Sequence, residues 1–242
     1  MQSGNSSAAP LELSGIDLSA VSAFVLAGGR SQRMGTDKAL LQIGGKALIE
    51  HALFLLQAVG LSATIAGGAP ALASFAPLAP DAITDQGPLA GICSAMQRAD
   101  SAWCVFATVD MPLAPPVLIR LLLATAMRAQ AALAIASLSG FRYTFPVVLH
   151  RDLLPRLQEE LRNQRRNCLN AFLAAADGLG RKVEIVPMES LDSALQQAHP
   201  LGLPPAAWML NANTPADAAL VESLLSGTPI APAGDGNEAS VK

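Results

Sequence analysis

The chain has 242 residues, of which 51% are hydrophobic and only 14% charged, and its formal net charge is −3. That length allows one large domain or two small ones around a substantial core, and the composition excludes a disordered chain. The negative balance lacks the basic face that sequence-independent nucleic-acid binding needs, and proline or charge interrupts the most apolar stretch, Met111 to Leu138, so neither a nucleic-acid partner nor a membrane span is expected.

Residues 1–20 are rich in Ser, Gly and Ala and read as a flexible lead-in. The first basic residue is Arg30, so the start lacks the charge pattern of a signal peptide and a cytoplasmic protein is expected. Val21–Ala27 is a short apolar run that ends in Gly28-Gly29, the pattern of a buried strand entering a loop. Ala47–Val59 carries apolar residues at helical spacing and stops at Gly60. Ala63–Ala66 reads as a second strand, closed by Gly67-Gly68. Leu89–Gln97 suits a helix, and Trp103–Val109 is a continuous apolar strand ended by Asp110-Met111-Pro112. Pro116–Met127 suits a helix with proline in its first turn. Further strands are expected at Ala131–Ala136, Phe145–Leu149, Val183–Val186 and Trp208–Leu210, and further helices at Leu153–Leu161, Leu169–Ala176 and Pro215–Leu224. Residues 226–242 read as a loose tail, which leaves 21–225 as the folded domain.

Continuous apolar strands separated by helices predict an α/β fold: a mostly parallel, doubly wound, Rossmann-like sheet with helices on both faces. Ligands of such sheets sit beyond the carboxyl ends of the strands. Chemistry is therefore expected in the loops after Ala27 and after Val109. Cys93, Cys104 and Cys168 are odd in number and show no CxxC spacing. They are expected to be reduced thiols filling the core.

The first of these loops reads LAGGRSQRMGTDK from Leu26 to Lys38. Glycines allow close approach of the backbone to a ligand, and successive N–H groups can cradle phosphate oxygens. Arg33 and Lys38 add positive charge where a triphosphate would lie. A P-loop is excluded, because Gly45-Lys46 is followed by Ala47; Gly28-Gly29 does not fit the dinucleotide fingerprint either. In the second loop, Asp110 could hold Mg²⁺, which takes one or two carboxylates with phosphate oxygens and water, or could cap the following helix.

LAGGRSQRMGTDKALL resembles the signature of the molybdenum cofactor guanylyltransferases. GPLAGI at Gly87–Ile92, VDMPL at Val109–Leu113, FPVVL at Phe145–Leu149 and NANTPAD at Asn211–Asp217 follow in the same order. The resemblance covers residues 21–225. It implies transfer of GMP from GTP to the terminal phosphate of molybdopterin, with Mg²⁺ as cofactor, and molybdoenzymes or their chaperones as recipients of the product. Leu26, Ala27, Gly28 and Gly29 would contact the nucleotide, Arg33 and Lys38 would bind its phosphates, and Asp110 would hold the metal. A second acid is expected before GPLAGI, either Asp81 or Asp85. Asn211 and Asn213 would face the pterin, or else cap the helix at Pro215, a task Thr214 could perform itself. Arg165-Arg166 would bind the pterin's phosphate or form a solvated charge run.

Two departures bear on base and acceptor. Ala66-Gly67-Gly68 stands where the family often has Asn, and Phe145 where it often has His before Pro146. Two other readings stay open. One is a relative that uses another base or acceptor, such as a molybdopterin cytidylyltransferase or a sugar-phosphate nucleotidyltransferase. The other is a non-catalytic carrier of nucleotide or pterin. Gly28, where cytidylyl-transferring relatives usually have Ala, favours guanine. Arg33, Lys38 and Asp110 together favour an enzyme.

Overall fold

The computed structural model describes residues 15–28, 37–79, 87–165, 167–191 and 193–227. In chain order the strands are β1 (Val21–Leu26), β2 (Gln42–Ile43), β3 (Lys46–Ala47), β4 (Ala63–Ala66), β5 (Leu78–Ala79), β6 (Trp103–Thr108), β7 (Leu133–Leu138), β8 (Phe141–His150) and β9 (Val183–Pro187). The α-helices are α1 (Leu48–Gln57), α2 (Pro88–Arg98), α3 (Pro116–Ala129), α4 (Leu154–Arg162), α5 (Cys168–Gly178), α6 (Ser193–Gln196), α7 (Pro205–Trp208) and α8 (Pro215–Ser226).

Seven strands form one sheet in the order β5-β4-β1-β6-β8-β7-β9. Every pairing is parallel except those of β8, which runs antiparallel to both β6 and β7. β2 and β3 form a separate hairpin turned by Gly44 and Gly45, whose φ values of 60° and 74° suit a tight two-residue turn.

The strands are apolar on both sides because helices cover both faces. Val21, Ala23 and Val25 of β1 face the layer that holds α1 and α3, together with Val105 and Ala107 of β6. Phe24 and Leu26 face the layer of α2, α4 and α5, together with Cys104 and Phe106. Successive strand residues alternate between faces, so two buried faces produce the unbroken apolar runs of the sequence. Phe24 and Phe106 stack across neighbouring strands at 5.2 Å.

Two expectations fail. Trp208–Leu210 is not a strand: Pro205–Trp208 forms a single helical turn, and the Trp208 indole donates to the Leu203 carbonyl at 2.7 Å. An apolar triplet carries no periodicity, and Pro204-Pro205 presets φ for a helix start. The expected strand at Phe145 begins instead at Phe141, after a turn in which Ser139 and Gly140 both have positive φ. Ahead of β1, Ile16, Leu18 and Ala20 pack against the core. Among the described residues no helix is long and apolar enough to cross a membrane.

Candidate active site

β1 sends its chain to β4 on one side, whereas its other neighbour, β6, belongs to the other half of the sheet. The carboxyl ends of β1 and β6 thus flank a topological switch point, where a crevice opens beyond the sheet. A cleft of about 450 Å³ lies there. Leu26, Ala27 and Gly28 line it from β1, and Thr108 to Met111 from β6. Lys38, Pro88, the stretch from Phe141 to Phe145, Asn211 and Asn213 complete its described walls.

Lys38 opens a 3-10 turn whose cap is Asp37; the Asp37 carboxylate accepts from the Ala39 amide at 3.0 Å. This fixes the backbone from which the lysine reaches into the cleft. Its Nζ donates to Asn213 Oδ1 at 2.6 Å and lies 3.4 Å from Asp110 Oδ2. The Lys38 and Asp110 side chains are 19% and 26% exposed, so water weakens their attraction without abolishing it. An ammonium between a carboxylate and an amide oxygen is positioned to meet phosphate oxygens entering the cleft.

Asp110 does not cap the next helix. That helix, α3, is capped by Pro115 without any side-chain bond. Instead the Asp110 carbonyl accepts from the Ala212 amide at 2.9 Å, which ties the β6 loop to the segment carrying both asparagines. Neither Asn211 nor Asn213 caps α8: Thr214 does, in a reciprocal box with Asp217. The Thr214 hydroxyl and amide bonds hold the Asp217 carboxyl below its ordinary range. The asparagine side chains are therefore left for the cleft.

A second tie is His199. Its Nδ1 accepts from the Leu201 amide at 3.0 Å, which makes Nε2 the donor to the Leu113 carbonyl at 3.0 Å. The ring lies over Trp208, with centroids 6.2 Å apart. Burial lowers its pKa, against an opposing contribution from the Leu113 carbonyl. The segment 199–213 is thus fastened to the β6 loop at two points, Leu113 and Asp110 itself.

Gly29, Arg33, Asp81, Asp85 and Arg166 lie outside the described residues. Arg165 is paired with Glu160 and is not among the cleft-lining residues. Sequence reasoning missed the Phe141–Thr144 stretch; the alternating aromatics of FRYTF were the signal available. None of the three histidines lines the cleft. His51 contacts the Ile43 carbonyl, and His150 accepts from Arg181 at 2.7 Å. Burial, and next the Arg181 charge, lower the His150 pKa. The three cysteines are buried, and desolvation pushes each thiol up to about 12, so they are unreactive core residues. Among the described residues no group of three or more His, Cys, Asp or Glu could hold a metal ion.

The family described as MobA-like NTP transferase domain matches residues 23–179. A molybdenum cofactor guanylyltransferase of Rhizobium johnstonii is 38% identical over 147 residues, which is 57% of this chain and 69% of that protein. One of an Acidovorax species is 34% identical over 176 residues, 70% of this chain and 80% of that protein. Among solved structures, molybdopterin-guanine dinucleotide biosynthesis protein A from Archaeoglobus fulgidus has a TM-score of 0.68 at 22% identity, covering 86% of this chain and all of that one. The 2-C-methyl-D-erythritol 4-phosphate cytidylyltransferase of Thermus thermophilus has a TM-score of 0.60 at 20% identity, covering 85% of this chain and 98% of that one. These two likenesses bear on the fold alone. The family match ends before His199, Asn211 and Asn213.

Proposed function

The chain belongs to the family of MobA-like NTP transferase domains, and from that premise we propose that it transfers GMP from GTP to the terminal phosphate of molybdopterin, forming the guanine dinucleotide cofactor and releasing pyrophosphate. The observation that carries this reading is the convergence of Lys38, Asp110 and Asn213 in one cleft at the switch point of the sheet. Curated relatives with the guanylyltransferase name support it.

An oxygen of the acceptor's terminal phosphate attacks the α-phosphorus of GTP, and the bond from that phosphorus to the β-phosphate oxygen breaks. The nucleophile is already ionised at neutral pH, so the step asks the protein for positioning and charge neutralisation rather than for a general base. That agrees with three histidines committed to other contacts. Leu26, Ala27 and Gly28 would receive the nucleotide, together with Gly29. Lys38 would meet the phosphates with Arg33, giving up its approach to Asp110 while Asn213 keeps hold of the ammonium. Asn211 would face the acceptor.

A metal ion suits the donor set. Asp110 is a single hard carboxylate at a strand end, which fits an ion that shares its remaining positions with phosphate oxygens and water rather than a cage made by the protein. We assign Mg²⁺ to Asp110, with Asp81 or Asp85 as the second acid. When bound, the ion would neutralise charge on the triphosphate and the leaving pyrophosphate.

The test offers each nucleoside triphosphate with Mg²⁺ and molybdopterin and measures pyrophosphate and dinucleotide. GTP should be used in preference to CTP. Preferential use of CTP would move the protein to the cytidylyl branch, and binding without pyrophosphate release would make it a carrier.

A further inference from the structure

β8 outruns the strand it pairs with. Its register sets His150 against Trp103 and Val147 against Phe106. Phe106 against Val147 is the last pair of that register, so the N-terminal part of β8 runs on past it beside the carboxyl end of β6. Residues 141–144 therefore overhang the end of β6 on the side away from β1. Phe141 and Tyr143 stand two apart on the strand and so share a face, and both, with Phe145, line the cleft that contains Asp110. Phe141 and Tyr143 meet edge to face with centroids 4.9 Å apart. Phe145 is set in turn by an edge contact with Phe172. Phe141 is 64% exposed, the highest value for a large apolar side chain among the described residues. A lone exposed phenylalanine needs no explanation. This one is braced by a second ring and continues directly into the cleft.

We propose that Phe141 and Tyr143 form a stacking ledge for the planar heterocycle of the acceptor, and so determine which acceptors are used. The inference rests on the guanylyl-transfer reading above, in which that heterocycle is a pterin. Aromatic faces hold flat conjugated rings by offset stacking and dispersion, with little dependence on hydrogen-bond pattern. The nucleotide loop leaves β1, whereas the ledge lies across β6 from it, with Asp110 between. The ledge thus belongs to the half of the cleft that the nucleotide does not occupy. Arg142, between the two aromatics in sequence, also lines the cleft and adds positive charge on the side where the acceptor's phosphorylated arm would lie.

The test compares the full-length protein with F141A, Y143L and Y143F. A pterin bearing a phosphorylated side chain is titrated with quenching of pterin fluorescence as the readout. GTP affinity and guanylyl transfer to molybdopterin are measured in parallel. F141A and Y143L should each weaken pterin binding, and raise the KM for molybdopterin, by roughly tenfold. GTP affinity should stay unchanged, and Y143F, which keeps the ring, should behave as the native protein. Unchanged pterin affinity in F141A and Y143L, while the native protein transfers guanylyl groups, overturns the ledge. So does a loss of GTP affinity instead, which would place guanine on these rings. A change in oligomeric state with substrate binding intact overturns it too, making the pair an interface between copies. If the native protein binds the pterin through these rings yet transfers nothing, the ledge stands and the transferase reading fails.

Discussion

Replacing Asn213 with Ala should weaken GTP binding, although the motif around it points to the acceptor. The Asn213 side chain accepts the 2.6 Å bond from Lys38 Nζ, the shorter of the two contacts that hold the ammonium in place. Without it, Lys38 keeps only the 3.4 Å approach to Asp110 and is expected to close onto that carboxylate. It must then be withdrawn before it can meet a phosphate. A hydrogen bond to a charged group contributes about 1.5–3 kcal/mol when shielded. Asn213 is exposed, so about 1 kcal/mol is the reasonable expectation, equivalent to roughly a fivefold rise in the Kd for GTP. Calorimetric titration of GTP in the presence of Mg²⁺ measures it. The cycle formed by N213A, K38M and the double variant isolates the pairwise contribution, expected at about 1 kcal/mol. Asn211 lines the cleft but it is Asn213 that holds Lys38, so N211A should spare GTP and raise the KM for molybdopterin. Zero coupling between positions 38 and 213, with K38M alone weakening GTP, would refute the argument and return Asn213 to the acceptor.

D110N should lower turnover by about 10²–10³-fold, because it removes the charge assigned to the metal; since Asp110 is no helix cap, its melting temperature should stay close to native, and near-normal activity would sink the assignment. Burial holds His199 below its ordinary pKa of 6.5, so the unfolded chain binds the proton more readily. Stability contributed by neutral His199 is full above pH 6.5 and declines as pH falls below it toward the folded value. His150 acts in the same direction. Urea unfolding at pH 7.5 and 5.5 should therefore show a larger acid loss in the native protein than in H199Q, and an equal loss in both would refute the claim. Removal of residues 1–20 should cost about 1–3 kcal/mol relative to removal of 1–15, since only the longer deletion strips Ile16 and Leu18 from the core; equal melting temperatures would show that those contacts contribute nothing.

The sequence by itself determined the framework. Val21–Leu26, Ala63–Ala66 and Trp103–Thr108 are largely apolar runs because helices cover both faces of the sheet, and the glycines and prolines that end them mark the ligand side. From those ends the loops after Ala27 and Val109 could be picked out. Pairing was another matter. That β8 runs antiparallel to both of its neighbours in the seven-stranded sheet depends on the Ser139-Gly140 turn and on which neighbours accept it, and no local pattern carries that information. The Trp208 turn resembles a strand in sequence because burial of an indole looks alike in either conformation. Tertiary structure alone decided that Lys38 meets Asn213, 175 residues away, and that Phe141 lines the same cleft as Asp110. Periodicity reports which side of an element is buried, whereas a bond between distant side chains exists only once the sheet has set its order.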